Sequence, residues 1–427
     1  MKIKVLTILL TAFLVLPFFL NLNYQARAAN AQTSPGLYVG VDVAYESVSE
    51  TEQLIDKVSS YTNIFVIGCT GYYNLDRLTT LSQYACDKGM SFIVYSDSRR
   101  YPSQQWLADA GKRWGDKFLG IYYFDEEGGK QLDQQNYPII TAANNYSDAS
   151  AKYVKGINGW IRGNRSITQS FAYPTQYKLF TSDYAFYWFD YQAGYDTVFA
   201  QFGWNYSRQV NVAQCRGAAT AFNKEWGAII AWTYRQPPYI ESGPELYKDM
   251  VLAYQNGAKY ILIFDSNKDY SQSILQQEHF DAMNQFWQYV QITPRTISPT
   301  SDRTAYVLPQ DYAYGFRGPN DSIWGLWGPD ALTNNICMNV SSLLQSYSTN
   351  LDIIYPGAPQ PIKSIGYQNV FYSNESLSPI SSSNKSIGQL PEVYLLGTIT
   401  GVAVVAVAIV TLKVRKTLNG KTKENFY

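Results

Sequence analysis

Residues 118–133 read FLGIYYFDEEGGKQLD, an apolar run that stops at three consecutive acids, Asp125, Glu126 and Glu127, followed by a glycine pair. Carboxyl groups at the end of an apolar strand suit two tasks. One is general acid–base chemistry, in which one carboxyl gives a proton to a leaving oxygen and a second attacks or activates water. The other is structural, because Asp at a strand end also caps the next helix or ties a loop. Side chains alternate along a strand. If the strand persisted through the acids, Asp125 and Glu127 would share one side and Glu126 would take the other.

Other apolar runs also close on acids. GLYVGVDVAY carries Asp42, MSFIVYSDS Asp97, YKLFTSDYA Asp183 and KYILIFDS Asp265. DTVFAQFGW holds Gln201 and ends in Trp204, whereas GAIIAWTY ends in Trp232, Thr233 and Tyr234, with Glu241 further along the loop. Trp188 sits in AFYWFDYQAG, which reads as a short helix. Aromatic faces pack against the apolar faces of sugar rings, so acids mixed with Trp and Tyr point to carbohydrate as the ligand class. The candidate acid is Asp125 or Glu126, and the partner carboxylate is Asp42, Asp183, Asp265 or Glu241. Trp188, Trp204, Trp232, Tyr234 and Gln201 are the candidate sugar contacts.

Elimination narrows the chemistry. His279 is the one histidine and falls in a helical stretch away from the strand ends, which argues against a Ser–His–Asp triad and a His-based metal site. No HExxH, P-loop or EF-hand loop occurs, and DSNKDYSQS (265–273) lacks the spaced acids of a calcium loop. No cofactor and no metal is expected. Lys+Arg and Asp+Glu balance at 34 each, which leaves no electrostatic case for nucleic acid. Cys69, Cys86, Cys215 and Cys337 form no CxxC pair, so zinc ribbons and thioredoxin-type motifs are excluded, although in an oxidising compartment they could form one or two disulfides. N-x-S/T sites at Asn145, Asn164, Asn205, Asn320, Asn339, Asn374 and Asn384 suit an exported glycoprotein.

The elements that must position these residues alternate. Runs beginning at 36, 63, 90, 118, 177, 196, 227 and 259 are nearly continuous in apolar residues, as parallel strands buried on both faces should be. Amphipathic stretches separate them, several ending at a glycine (Gly89, Gly115, Gly257) that can cap a helix in a left-handed conformation. Eight strand–helix units in about 260 residues match a (β/α)8 barrel, whose active sites lie at the C-terminal strand ends. A doubly wound open sheet is the competitor, but no GxGxxG follows the first strand.

With FDEE at the end of the fourth run, the chain resembles the glycoside-hydrolase-like (β/α)8 barrels over about residues 36–290. The resemblance implies an acid/base at strand four, filled by Glu126 or Asp125, and a nucleophilic glutamate at the end of strand seven. GAIIAWTYRQPPY has no acid at that second position. Two expectations follow. One is a glycoside hydrolase acting on extracellular polysaccharide or glycan; the other is a non-catalytic glycan-binding or cell-envelope structural protein on the same barrel. A metal-dependent polysaccharide deacetylase is disfavoured by the shortage of histidine.

Around the barrel (32–300) the sequence predicts further parts. Residues 1–31 have a basic start, an apolar run and small-residue cleavage sites, the layout of a signal peptide. Residues 301–357 read as a small α/β appendage and 358–392 as a Pro/Ser/Asn-rich stalk. Val393 to Leu412 carries no charge and is long enough to span a ~30 Å hydrocarbon core. The basic tail 413–427 that follows predicts a single-pass type I protein of the cell membrane with its bulk outside. Gly397 and Gly401 within the span could pair two such helices into a homodimer.

Overall fold

The computed structural model describes residues 36–68, 74–97, 102–135, 137–169 and 177–374. The expected signal segment, membrane span and basic tail, with Gly397, Gly401 and Cys69, lie outside these residues. Among the described residues no helix is long and apolar enough to cross a membrane.

Eight strands form the centre: β1 Tyr38–Val43, β2 Ile64–Ile67, β3 Ser91–Ser96, β4 Phe118–Tyr123, β5 Lys178–Asp183, β6 Thr197–Phe202, β7 Glu225–Ile230 and β8 Tyr260–Asp265. Each pairs in parallel with the next, and β8 closes on β1 from Tyr38↔Tyr260 to Val43↔Asp265. The expected (β/α)8 barrel is therefore the observed fold. Helices follow the strands and start where small polar residues cap them. Ser47 accepts a hydrogen bond from the Glu50 N–H (3.2 Å), Asn74 from Asp76 and Arg77 (3.0 Å each), and Ser103 from Trp106 (3.1 Å). Each such cap is worth ~1 kcal/mol.

The strands are apolar throughout because they bury two faces. One set of alternate residues, including Ile64, Val66, Ile93, Tyr122, Phe180, Phe199, Ile229, Tyr260 and Leu262, fills the barrel interior. The other set, with Val39, Val41, Val43, Phe65 and Ile67, packs outward under the helices. The N-terminal mouth is sealed by Glu225, which takes Lys178 (2.5 Å) and Lys259, while Tyr38 stacks on Tyr260 at 5.1 Å.

After the barrel, β9 Thr304–Val307, β10 Leu351–Ile354 and β11 Asn369–Tyr372 form a parallel sheet in the order β10-β9-β11, with the helix Thr333–Tyr347 between β9 and β10. The sequence predicts the first two strands and the helix. It does not predict β11, since 358–392 reads as stalk. A four-residue strand in a Ser- and Asn-rich setting has too short an apolar pattern to register, and its pairing with the edge of β9 makes it a strand. Cys86, Cys215 and Cys337 are free thiols. Asn339 is buried, and its side-chain amide donates to the Tyr306 hydroxyl (3.1 Å), so that N-x-S site is closed in the fold.

Candidate active site

A cavity of about 1300 Å³ opens at the C-terminal mouth of the barrel. Its floor follows from strand parity. Asp42 of β1, Tyr95 of β3, Gln201 of β6 and Phe264 of β8 line it in step with the interior side chains lower on their strands, and Tyr122 of β4 and Ile229 of β7 join them from the interior layer itself.

The FDEE segment turns sharply above this floor. β4 ends at Tyr123, and both Phe124 (φ 62°) and Glu126 (φ 59°) are left-handed, a conformation unusual for residues with a side chain. The strand alternation is thereby broken. Asp125 and Glu126 both reach the cavity, while Glu127 opens the helix Glu127–Leu132 and pairs with Lys130 at 3.5 Å. The alternation expected if the strand persisted through the acids does not apply, because the strand has already ended at Tyr123.

Such strain costs on the order of 1–3 kcal/mol per residue and persists only where the surroundings hold it. Here they do. The Phe124 N–H bonds the Ser96 carbonyl and the Glu126 N–H the Ser182 carbonyl, both at 2.9 Å, and the Lys130 ammonium grips the Asp125 carbonyl. The Asp183 carboxylate accepts the N–H groups of Gly128 (2.6 Å), Gly129 (2.8 Å), Tyr184 (2.8 Å) and Ala185 (2.9 Å). The glycine pair is required by this approach: a Cβ on Gly128 would stand 2.7 Å from Asp183 Oδ2, and one on Gly129 2.0 Å from the Tyr184 ring. Burial raises the Asp183 carboxyl to about 7, against the four N–H donors, which favour the anion. Asp183→Ala leaves those donors without their acceptor and is expected to destabilise the fold by about 3 kcal/mol or more. A urea unfolding midpoint equal to that of the parent would refute this role.

The hydrogen bonds around the acids have a direction. The Tyr122 hydroxyl (2.6 Å) and the Ser182 hydroxyl both donate to Asp125 Oδ1. The Gln201 amide donates to Glu126 Oε1 (2.7 Å) and to Ser182 Oγ (2.9 Å), and its own backbone carbonyl is held by Asn211 (2.6 Å). With Oε1 accepting, the acid proton of Glu126 belongs on Oε2. Burial, and then the charge of Asp125, push Glu126 up to about 8, and the Gln201 bond opposes them without prevailing. Asp42 is held well above the usual carboxylate range by burial first and Asp125 second. Asp42 as a whole residue is 5 % exposed, and its carboxyl makes no hydrogen bond to any described residue. The floor thus offers two carboxyls that burial and Asp125 push toward the neutral form beside one that accepts hydroxyls.

Trp204, Trp232, Tyr234 and Gln201 line the cavity with Asp42, Asp125 and Glu126. Trp232 is fixed by its indole N–H on the Ser266 carbonyl (2.8 Å) and stacks with Tyr270 at 6.1 Å. The remaining candidates lie elsewhere. Asp183 faces outward and anchors the turn. Asp265 is fully buried and accepts from Tyr45 Oη (3.2 Å), Ser273 Oγ (3.0 Å) and the Ile274 N–H (2.7 Å), tying down the loop after β8. Glu241 is buried against Arg208 (3.2 Å), which also binds Asp249 (2.8 Å) and the carbonyls of Gly203, Trp204 and Tyr206, so Glu241 braces the loop that carries Trp204. Trp188 is no sugar platform. It is packed between Phe222 and Tyr355, under the appendage. His279 caps its own helix, accepting from the Gln276 N–H (2.8 Å) and meeting the Glu241 carbonyl (3.0 Å).

Sequence reasoning missed Ser182, Tyr95, Tyr122, the stacked pair Tyr184–Tyr206 (5.5 Å) and Arg235. It also missed that the appendage reaches the site. Gln131, wholly buried, donates to the carbonyls of Ile140 and Trp324 (3.0 Å each), and Arg317 bonds Asp133 (2.6 Å) at the cavity edge.

No protein-family model and no curated protein sequence matches this chain. Solved structures do. A glycoside hydrolase family 5 enzyme from Prevotella bryantii B14 aligns at 10% identity over 59% of this chain and 96% of its own, with a TM-score of 0.37. An endo-1,4-beta-mannanase from Eisenia fetida aligns at 9% identity over 61% and 95%, with a TM-score of 0.39. An O-GlcNAc hydrolase from Thermobaculum terrenum aligns at 10% identity over 59% of each chain, with a TM-score of 0.37.

Proposed function

We propose that this chain hydrolyses glycosidic bonds in an extracellular polysaccharide or glycan, with Glu126 as the proton donor. The observation that carries the reading is the cavity floor, where a protonated Glu126, an accepting Asp125 and a buried, unbonded Asp42 meet under aromatic walls. Protonation of the leaving oxygen by Glu126 Oε2 lets the C–O bond break, and the positive charge that grows on the sugar ring is met by the negative charge of Asp125. Water then adds to the anomeric carbon and its proton returns to the carboxyl group that gave one up. Gln201 and Ser182 hold the two acids in register, and Trp204, Trp232 and Tyr234 offer faces to sugar rings. Attachment to a cell surface rests on the uncharged stretch 393–412 and the basic residues after it.

A second reading is favoured by one observation. β7 is followed by Ala231, Trp232 and Thr233, with no carboxyl, and the next acid along the chain, Glu241, is committed to Arg208. A barrel that only binds glycan would need the aromatic walls and no opposed nucleophile. Incubation of the full chain and its Asp125→Asn and Glu126→Gln variants with a panel of polysaccharides, followed by product separation, distinguishes the two. Release of sugars by the parent alone supports hydrolysis. Binding without release by all three proteins supports the second reading.

A further inference from the structure

We propose that Arg235 selects an acidic glycan, one carrying a carboxylate or sulfate on a sugar ring. This rests on the sugar-binding reading of the cavity and names its substrate class. The loop after β7 doubles back on itself: the N–H groups of Thr233 and Tyr234 both bond the Tyr239 carbonyl (2.7 and 2.8 Å), and the Tyr239 N–H bonds the Gln236 carbonyl (3.0 Å). At the tip of this pinned hairpin, Arg235 lines the cavity. It is exposed, and it forms no ion pair or hydrogen bond with any described residue.

The other guanidinium groups near this mouth are already used. Arg208 holds Glu241 and Asp249, and Arg317 holds Asp133 and Asp321. Among the described residues Arg235 is the one basic side chain that lines the cavity, and its partner has to come from outside. A guanidinium presents a planar fork of N–H donors that matches a carboxylate or sulfate and gains nothing comparable from a neutral hydroxyl. A pinned loop loses little conformational freedom when the contact forms. The floor does not oppose an anion either. Burial and Asp125 push Asp42 and Glu126 toward the neutral form, so an acidic sugar meets Asp125 as the one carboxyl there that accepts hydroxyls, and Arg235 at the wall.

The test pairs ligands that differ only in charge. Oligogalacturonate is compared with its methyl ester, and oligo-carrageenan with its desulfated form, in calorimetric titrations of the full chain. Carboxylate and sulfate are thereby read separately. The parent is expected to bind at least one acidic member about tenfold more tightly than its neutral counterpart, a preference that fades with added salt. Arg235→Ala should remove the preference and leave affinity for the neutral counterpart unchanged, and Arg235→Lys should restore part of it. No preference in either pair, or a preference that survives Arg235→Ala, overturns the proposal. A preference abolished by Arg235→Ala in a protein that releases no sugar upholds Arg235 and defeats hydrolysis. Cleavage of neutral glycan alone, untouched by Arg235→Ala, does the reverse.

Discussion

Glu126→Gln is expected to lower kcat by about 10²- to 10⁴-fold, the usual worth of a positioned proton donor, and to leave glycan binding in place. The amide keeps the shape of the side chain and can still accept from Gln201, so only the proton is lost. The pH profile carries the sharper signature. A donor must hold its proton, and Glu126 holds its own up to about 8, so kcat/KM of the parent should fall as the pH rises through that value. The residual activity of the variant should lack this alkaline limb. A parent whose activity continues level to pH ~10 would remove Glu126 from the donor role.

The same substitution makes an independent prediction about stability. In the unfolded chain a glutamate loses its proton near pH ~4.3, whereas the folded protein holds the Glu126 proton to about 8. Between these values the native state binds the extra proton. The stability contributed by this group is therefore complete below the lower value and is lost as the pH rises through the upper one, at no more than ~1.4 kcal/mol per pH unit. Glu126→Gln removes the titration. Its thermal midpoint should match that of the parent near pH ~4 and exceed it near pH ~8.5. Residues held in costly states for chemistry show this exchange of stability for function. An advantage that does not grow with pH would mean that Glu126 is an ordinary exposed carboxylate.

The barrel was legible because its signal is repeated. Eight apolar runs separated by amphipathic stretches leave few folds, and each run fell on a strand. The site was legible only in part. The sequence presents the rim acids as one set, but parity divides them: Asp42 is in step with the interior residues of its strand, while Asp183 follows the inward Ser182 and Asp265 follows the inward Phe264. Applying the period of two to each strand separately would have removed Asp183 and Asp265 and brought in Ser182. Parity could not have placed Asp125 and Glu126, because the left-handed turns at Phe124 and Glu126 depend on bonds to β3 and β5 that no local pattern encodes. Glu241 and Trp188 were misread for a related reason. Their partners, Arg208 and Tyr355, are 33 and 167 residues away along the chain.

The largest loss of stability is expected from Asp352→Asn, in the sheet that follows the barrel. Asp352 is fully buried and takes two guanidiniums, Arg216 from the barrel helix Arg208–Phe222 and Arg303 from the residue just before β9, each at 2.8 Å, with the Tyr367 hydroxyl at 3.0 Å. Neutralising it leaves two cations facing each other in the interior. Breaking a buried pair in this way costs about 3–5 kcal/mol, because the charge left behind is uncompensated. Arg216→Met should cost less. It leaves Arg303 and Asp352 balanced in charge and takes a partner from Asp352 Oδ1, the carbonyls of Thr349 and Leu351 and the amide oxygen of Asn256. Thermal melts should therefore rank parent, Arg216→Met, Asp352→Asn in descending order, and the reverse order of the two variants would defeat the charge argument. The consequence reaches the candidate site, because the segment that packs Trp324 and Arg317 against Gln131 and Asp133 runs between β9 and β10. Loosening that sheet should let the helix Glu127–Leu132 move, and the Glu126 turn with it. Turnover of Asp352→Asn should accordingly decline at temperatures where its barrel is still folded by far-ultraviolet circular dichroism.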